Sequence, residues 1–275
     1  MLSETAHAKV NLALHVRARR PDGYHELESL FVFCADGDGL HGEAREDGAL
    51  TLAIDGPFAA DLEAGEDNLV LRAARALQSE GDVRQGAALR LDKRLPVASG
   101  IGGGSADAAA ALRLLSRLWD VRLPQPMMAD IAAGLGADVP ACFGSRTVFG
   151  TGVGEQLRPV DIDVQGMPIL LVNPRLACPT GPVFREWDGL DRGPLSPEQW
   201  GEGRNDLQSP AMALVPDIAL VLAALQALPG ATMTRMSGSG ATCFALFDDP
   251  AACHAAENRV RADHPGWWTL ASTIR

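Results

Sequence analysis

Leu95-Pro96-Val97-Ala98-Ser99-Gly100-Ile101-Gly102-Gly103-Gly104-Ser105-Ala106-Asp107 carries a strand pattern into a glycine loop and the loop into an alanine-rich helix without a break. Upstream, Leu89 and Leu91 alternate with Arg90 and Asp92 as in a half-buried strand. Downstream, Ala106 to Trp119 holds no Gly or Pro and is rich in strong helix formers. The glycines therefore fall where a strand hands over to a helix N-terminus. There the first backbone N–H groups lack an intrahelical acceptor and the helix dipole is positive, so an anion is favoured. Without a Cβ, the glycines let that anion approach the backbone closely. The stretch reads as a phosphate cradle. For the glycines alone an ordinary flexible turn is an equal alternative, and the flanking strand and helix are what favour the cradle.

Two familiar phosphate loops are excluded by inspection. A P-loop needs Gly-Lys followed by Ser or Thr, yet the two lysines, Lys9 and Lys93, follow Ala8 and Asp92. A dinucleotide fingerprint read from Gly100 and Gly102 would place its third glycine at position 105, which is Ser105. Composition narrows the partners further. The formal net charge of −11 argues against a nucleic-acid or anionic-membrane surface, because both are held by excess Lys and Arg, so phosphate must be bound locally. The five cysteines, Cys34, Cys142, Cys178, Cys243 and Cys253, are odd in number and show no Cys-x-x-Cys spacing, which suits reduced thiols in a cytoplasmic protein. The histidines lack metal-ligand spacing. No apolar run reaches the length of a signal peptide core near Met1 or of a membrane span elsewhere.

Along the chain, Ala8 to Val16 alternates, with Lys9, Asn11 and His15 on one face and Val10, Leu12 and Leu14 on the other. Pro21-Asp22-Gly23 signals a turn, and Tyr24 to Phe33 resumes an extended pattern. Helices are expected at Asn68 to Gln78, Ala106 to Trp119 and Pro216 to Leu228, strands at Ile169 to Val172 and Cys243 to Phe247, and a long surface loop from Glu186 to Gly203. Several residues carry two readings. Lys9 is either an edge lysine reaching water or a cation paired with Asp138, an acid set among apolar and small residues. Asp138 is either a helix N-cap or a base that abstracts a hydroxyl proton. Tyr24 is either core packing or, beside His25, a platform on which a nucleobase stacks. The Ser237-Gly238-Ser239-Gly240 turn either links two elements or shapes the phosphate site.

Taken in order, Lys9-Val10-Asn11-Leu12, Leu95-Pro96 through Gly102-Gly103-Gly104-Ser105, and Ser237-Gly238-Ser239-Gly240-Ala241 resemble the three motifs of the GHMP kinase superfamily, named for galactokinase, homoserine kinase, mevalonate kinase and phosphomevalonate kinase. Arg20-Pro21-Asp22-Gly23-Tyr24-His25, Glu66-Asp67-Asn68-Leu69-Val70, Asp92-Lys93-Arg94-Leu95-Pro96, Leu135-Gly136-Ala137-Asp138-Val139-Pro140 and Asn205-Asp206-Leu207 resemble more closely the branch whose acceptor is 4-diphosphocytidyl-2-C-methyl-D-erythritol. The resemblance implies an α+β fold in two domains, expected at 1–155 and 156–275. The first would be like ribosomal protein S5 domain 2 and the second ferredoxin-like.

For function, the resemblance implies ATP-dependent phosphorylation of the acceptor's 2-hydroxyl in non-mevalonate isoprenoid synthesis, with Mg²⁺. It gives Asp138 the role of base and Lys9 that of holding and acidifying the hydroxyl. Pro96 to Ala106, with Gly238 and Ser239, would bind the nucleotide, and Ser105 would reach a phosphate or the metal, for which no acidic ligand is evident. Tyr24 and Phe184 would sandwich the cytosine, His25 would read its edge, and Asn11 and Thr180 would contact the substrate. The partners are thus two small molecules, acting on a monomer or homodimer, with neither nucleic acid nor membrane. Another small-molecule kinase of the superfamily, or a nucleotide-binding member without catalysis, would keep the same glycine loop, and Pro21 to His25 is the segment that separates them. Ala98 and Ser99 stand where that branch usually has glycines, and Asp107 where Asn is common, so a stiffer and more acidic loop is expected. Gln208 replaces a frequent Glu.

Overall fold

The computed structural model describes residues 1–275, arranged as two compact units that are each discontinuous in sequence. Two long strands, β1 (Leu2–Arg19) and β2 (His25–Arg45), lend residues to both units. The first unit takes Met1–Ala8, Asp36–Val97 and Gly102–Ser145. In it β3 (Leu50–Asp55), α1 (Leu69–Glu80) and β4 (Gly86–Asp92) form a strand, helix, strand crossover, with β3 and β4 parallel from Leu50 opposite Ala87 to Asp55 opposite Asp92. The far half of β2 runs antiparallel to β4 on its other side. The unit is completed by α2 (Gly103–Leu118), α3 (Gln125–Leu135) and α4 (Val139–Gly144).

The run Ala108 to Ala111 on α2 is fully buried, as are Val70, Ala73, Ala74 and Leu77 on α1. Small side chains at these positions let the two helices approach closely and exclude water from both faces. Asn68 caps α1, its side-chain oxygen accepting from the Val70 N–H at 3.0 Å.

The second unit takes Lys9–Ala35, Ala98–Ile101 and Arg146–Arg275. Its first layer pairs β2 with β5 (Val148–Thr151) and β5 with β6 (Gln156–Pro159), both antiparallel. The chain continues through β7 (Pro168–Asn173), α5 (Thr180–Arg185), α6 (Gln208–Leu214), α7 (Asp217–Gln226), β8 (Ala231–Met236), β9 (Cys243–Phe247), α8 (Pro250–Asp263) and β10 (Trp268–Thr273). These strands make an antiparallel sheet in the order β10-β7-β9-β8. One face of that sheet, bearing Leu170, Val172, Ala245 and Phe247, is packed by Ile218, Val221 and Leu225 of α7 and by Ala256 and Val260 of α8. Strand order and helix placement are those expected of a ferredoxin-like unit.

Three local expectations are amended. The helix expected from Ala106 begins three residues earlier, because Gly102 turns the chain at φ +64° and Gly103 and Gly104 already adopt helical backbone. The strand expected to end at Phe33 runs on to Arg45, since its second half has its own partner in β4. The segment from Glu186 to Gly203 is not purely a surface loop: Trp187, Leu195 and Pro197 are buried, and Pro197–Glu202 winds into 3₁₀ turns. Burial of such side chains outweighs the segment's polar and Gly-rich composition.

Candidate active site

In the second unit the residues of all three motifs meet at one hydroxyl. Ser237 Oγ accepts from the Asn11 backbone N–H at 3.1 Å and donates to the Gly100 carbonyl at 3.0 Å. The neighbouring residues extend this seam: the Lys9 N–H donates to the Ile101 carbonyl at 3.0 Å and the Thr242 N–H to the Ser99 carbonyl at 3.1 Å. The two glycine turns are so close that a Cβ on Gly100, at φ +78°, would lie 2.6 Å from the Ser237 carbonyl oxygen. One on Gly238, at φ +55°, would lie 2.8 Å from the Gly100 oxygen. The Ser237 to Gly240 turn is therefore a wall of the glycine loop rather than a plain connection.

Lys9 is no edge lysine. It is buried, with its Nζ 4.7 Å from the centre of the Phe31 ring, so its charge meets the negative face of the aromatic system. Asn11 donates through Nδ2 to Ser29 Oγ at 2.7 Å, and the Ser29 hydroxyl donates in turn to the Ala13 carbonyl at 2.8 Å. That chain fixes the orientation of the Asn11 amide. Its Oδ1 is left buried with no hydrogen-bond partner, an acceptor that a substrate hydroxyl would satisfy. Thr180 begins α5, and its Oγ1 lies 2.9 Å from Ser239 Oγ, so one proposed acceptor contact touches one proposed nucleotide contact.

Of the three residues expected around a cytosine, the structure brings two together. His25 is buried, with its ring centre 5.0 Å from that of the half-buried Phe184 and 5.7 Å from that of Trp187. Its Nε2 accepts from Arg19 Nε at 3.3 Å, and burial, then the Arg19 charge, hold its pKa below the ordinary imidazole value. Tyr24 is not core packing: it is 64% exposed, with no aromatic ring against it. Trp187 was not anticipated, and its single-residue signal inside a polar stretch gave no period to read.

In the first unit, Asp138 is half-buried at the N-cap position of α4, but its side chain does not bond the helix's N–H groups. The capping role is thus not the one its carboxylate serves. The first turn of α2 has no side-chain cap either, and Ser105 lies half-buried there. Asp107 departs from expectation. Rather than making the loop more acidic, it turns inward and meets Lys93 Nζ at 2.6 Å, while Asp38 meets the same ammonium at 2.7 Å. All three side chains are buried. Asp38 also accepts the Leu95 N–H at 2.8 Å, anchoring the approach to the glycine loop. Burial would by itself depress Lys93, but the two carboxylates outweigh it and hold the ammonium above its ordinary pKa. Burial pushes Asp107 up to about 7 against the pull of Lys93. No cluster of three His, Cys, Asp or Glu side chains with the geometry of a metal site occurs.

Comparison with known proteins agrees with this arrangement. The GHMP kinases N terminal domain pattern matches residues 68–146 and the GHMP kinases C terminal pattern residues 193–266. A 4-diphosphocytidyl-2-C-methyl-D-erythritol kinase of Rhizorhabdus wittichii is 52% identical over 99% of this chain and 94% of its own, and one of Sphingopyxis alaskensis is 50% identical over 100% and 99%. The crystal structure of a 4-(cytidine 5'-diphospho)-2C-methyl-D-erythritol kinase superposes with a TM-score of 0.85 at 35% identity, covering 99% of both chains. A homoserine kinase from Cytophaga hutchinsonii, at 16% identity and a TM-score of 0.70 over 100% of this chain and 96% of its own, shares the fold. With three motifs joined at Ser237, a ferredoxin-like second sheet and relatives alike from end to end, the chain belongs to the GHMP kinase family, in its 4-diphosphocytidyl-2-C-methyl-D-erythritol kinase branch.

Proposed function

We propose that the chain transfers the terminal phosphoryl group of ATP to the 2-hydroxyl of 4-diphosphocytidyl-2-C-methyl-D-erythritol, giving the 2-phosphate and ADP. The observation that carries this reading is the convergence of Asn11, Gly100 and Ser237 on one shared hydroxyl, which gives the phosphate loop a fixed shape before any ligand arrives. Phosphoryl transfer demands mostly positioning and charge stabilisation, and preformed backbone donors supply both without reorganisation.

In this reading Asp138 accepts the proton of the 2-hydroxyl and Lys9 holds the hydroxyl oxygen and favours its ionised form. Asn11 Oδ1 and Thr180 Oγ1 orient the acceptor. Tyr24 and Phe184 enclose the cytosine, with His25 at its edge. The backbone from Pro96 to Ala106, the N–H groups at the start of α2, and Gly238 and Ser239 hold the nucleotide phosphates. Ser105 is the side chain best placed by sequence to meet a Mg²⁺ that would come with ATP and would offset its phosphate charge. All five cysteines are buried and outside any disulfide, which favours a reducing cytoplasmic setting, and no helix is long and apolar enough to cross a membrane. The reading keeps a domain limit near 155, supported by the gap between family segments that end at 146 and begin at 193.

The test is ADP release from Mg·ATP with the cytidine compound, mevalonate or homoserine as acceptor, using wild type and Asp138→Asn. Turnover is expected with the cytidine compound alone, and a fall of about 10²- to 10⁴-fold in Asp138→Asn with ATP binding retained. Turnover only with another acceptor refutes the acceptor assignment, and wild-type turnover in the variant removes Asp138 as base.

A further inference from the structure

Asn205-Asp206-Leu207, a matched run with no role so far, lies directly behind the Ser237 to Gly240 turn. The Asn205 side chain is buried, and its Nδ2 donates twice, to the Met236 carbonyl at 2.8 Å and to the Gly238 carbonyl at 2.8 Å. Its Oδ1 accepts the Leu207 N–H at 2.9 Å, so the amide is fully used and cannot rotate without losing bonds. The next carbonyl along, that of Ser239, accepts from the Cys178 thiol at 3.1 Å. Burial raises the Cys178 pKa, which keeps the sulfur protonated and able to donate. The carbonyl before, that of Ser237, accepts the Gly240 N–H at 3.0 Å.

Three consecutive carbonyls are thus tied. A trans peptide is planar, with its N–H opposite its C=O, so tying the Ser237 and Gly238 carbonyls fixes the direction of the Gly238 and Ser239 N–H groups. Both residues are buried, yet neither N–H donates to any acceptor in the protein. Two adjacent amides without protein acceptors, the first on Gly238 in the left-handed region, have the makings of an anion-binding concavity.

We propose that Asn205 and Cys178 are positioning residues that preset the Gly238 and Ser239 amides as a donor pair for a nucleotide phosphate: Asn205 holds the Gly238 carbonyl and so directs the Ser239 N–H, while Cys178 holds the Ser239 carbonyl, whose peptide bears the Gly240 N–H that ties the Ser237 carbonyl and so directs the Gly238 N–H. The proposal rests on the kinase reading above. Asn205 is the stronger member because it fixes the peptide that bears the Ser239 N–H and grips the turn at two points. Cys178 contributes less, since a thiol is a weak donor.

The test compares wild type, Asn205→Ala, Cys178→Ala and Cys178→Ser. Kinetic constants for ATP and for the cytidine acceptor are measured, with ATP affinity by calorimetry in the absence of acceptor, and melting temperature. Expected are a rise of about tenfold in KM and Kd for ATP in Asn205→Ala, the effect of about one lost hydrogen bond, with acceptor KM within twofold of wild type. Cys178→Ala should weaken ATP by about threefold, and Cys178→Ser, which keeps a donor, should restore it. A lowered melting temperature with unchanged ATP constants in Asn205→Ala, or a rise in acceptor KM alone, overturns the proposal. Should Asn205→Ala not fold, the Cys178 pair decides, and wild-type ATP affinity in Cys178→Ala refutes the clamp. Wild type that binds ATP but does not phosphorylate the cytidine compound would defeat the kinase reading instead, and the ATP affinities would still judge the clamp.

Discussion

Ala98 stands at φ +50°, where a Cβ crowds the following carbonyl oxygen, and it does so in the glycine loop proposed to hold phosphate. The family resemblance implies a glycine at this position; only the backbone shows that an alanine there is strained. A glycine would relieve about 1–2 kcal/mol of that strain, partly offset by about 0.4–1 kcal/mol of added freedom in the unfolded chain. Ala98→Gly should therefore stabilise the protein by about 0.5–1 kcal/mol in urea unfolding, and a loss of stability would mean that the loop does not suffer from the Cβ. Lys9, Asn11 and Asp138 could be singled out in the sequence because few residue types can do the chemistry proposed for them. Asn205 and Cys178 were not, because their bonds run to backbone atoms far along the chain, which no local pattern encodes. Lys93 could be recognised as scarce but not as buried, since its partners Asp38 and Asp107 come from a strand and a helix distant in sequence.

Between β1 and β2 the chain turns on a short, closely bonded segment. The Arg20 N–H donates to the Tyr24 carbonyl at 2.7 Å, the Gly23 N–H to the Arg20 carbonyl at 3.1 Å, and the Tyr24 N–H to Asp22 Oδ1 at 3.0 Å. An exposed tyrosine held on so stiff a turn loses little further freedom when a base stacks on it. Tyr24→Ala should accordingly raise KM for the cytidine acceptor by about tenfold or more while leaving KM for ATP and the melting temperature near wild type. Equal acceptor KM in the two proteins would end the stacking role. Elements with a strong pattern were readable, and β9 falls where the apolar run after the Ser237 to Gly240 turn put it. Boundaries were less so: α2 swallows two loop glycines and β2 doubles its expected length, because pairing partners and a positive-φ N-cap, not propensity, set the ends. The segment around Trp187 was misjudged since one buried aromatic can fold a polar stretch inward without leaving a pattern.

Across the whole molecule, two buried titrating groups pull stability in opposite directions with pH. Asp107 has a native pKa near 7, above the roughly 4 of an unfolded Asp, so its contribution is full at low pH and is lost as pH rises toward 7. His15 is lowered by burial and by Arg204, whose N–H donates to Nε2 at 3.2 Å, so its contribution is full above the ordinary imidazole value and is lost as pH falls. Asp107→Asn should remove only the first effect. In urea midpoints from pH 5 to 8 the variant should gain on wild type as pH rises, and parallel curves would mean that Asp107 does not hold its proton in the native state. Mixed strand and helix content was legible from the patterns, and the α+β class came from the family resemblance. That the compact units are not the two halves of the sequence was invisible, since it depends on which parts of β1 and β2 find partners late. This threading has a consequence for biosynthesis. A ribosome that has released the chain as far as Ser145 has supplied every residue of the first unit, whereas Lys9 to Ala35, made almost first, belong with residues made last. At ordinary elongation rates the nascent strand bearing Lys9 and Asn11 waits on the order of ten seconds for its companions, an apolar segment that chaperones would be expected to shield.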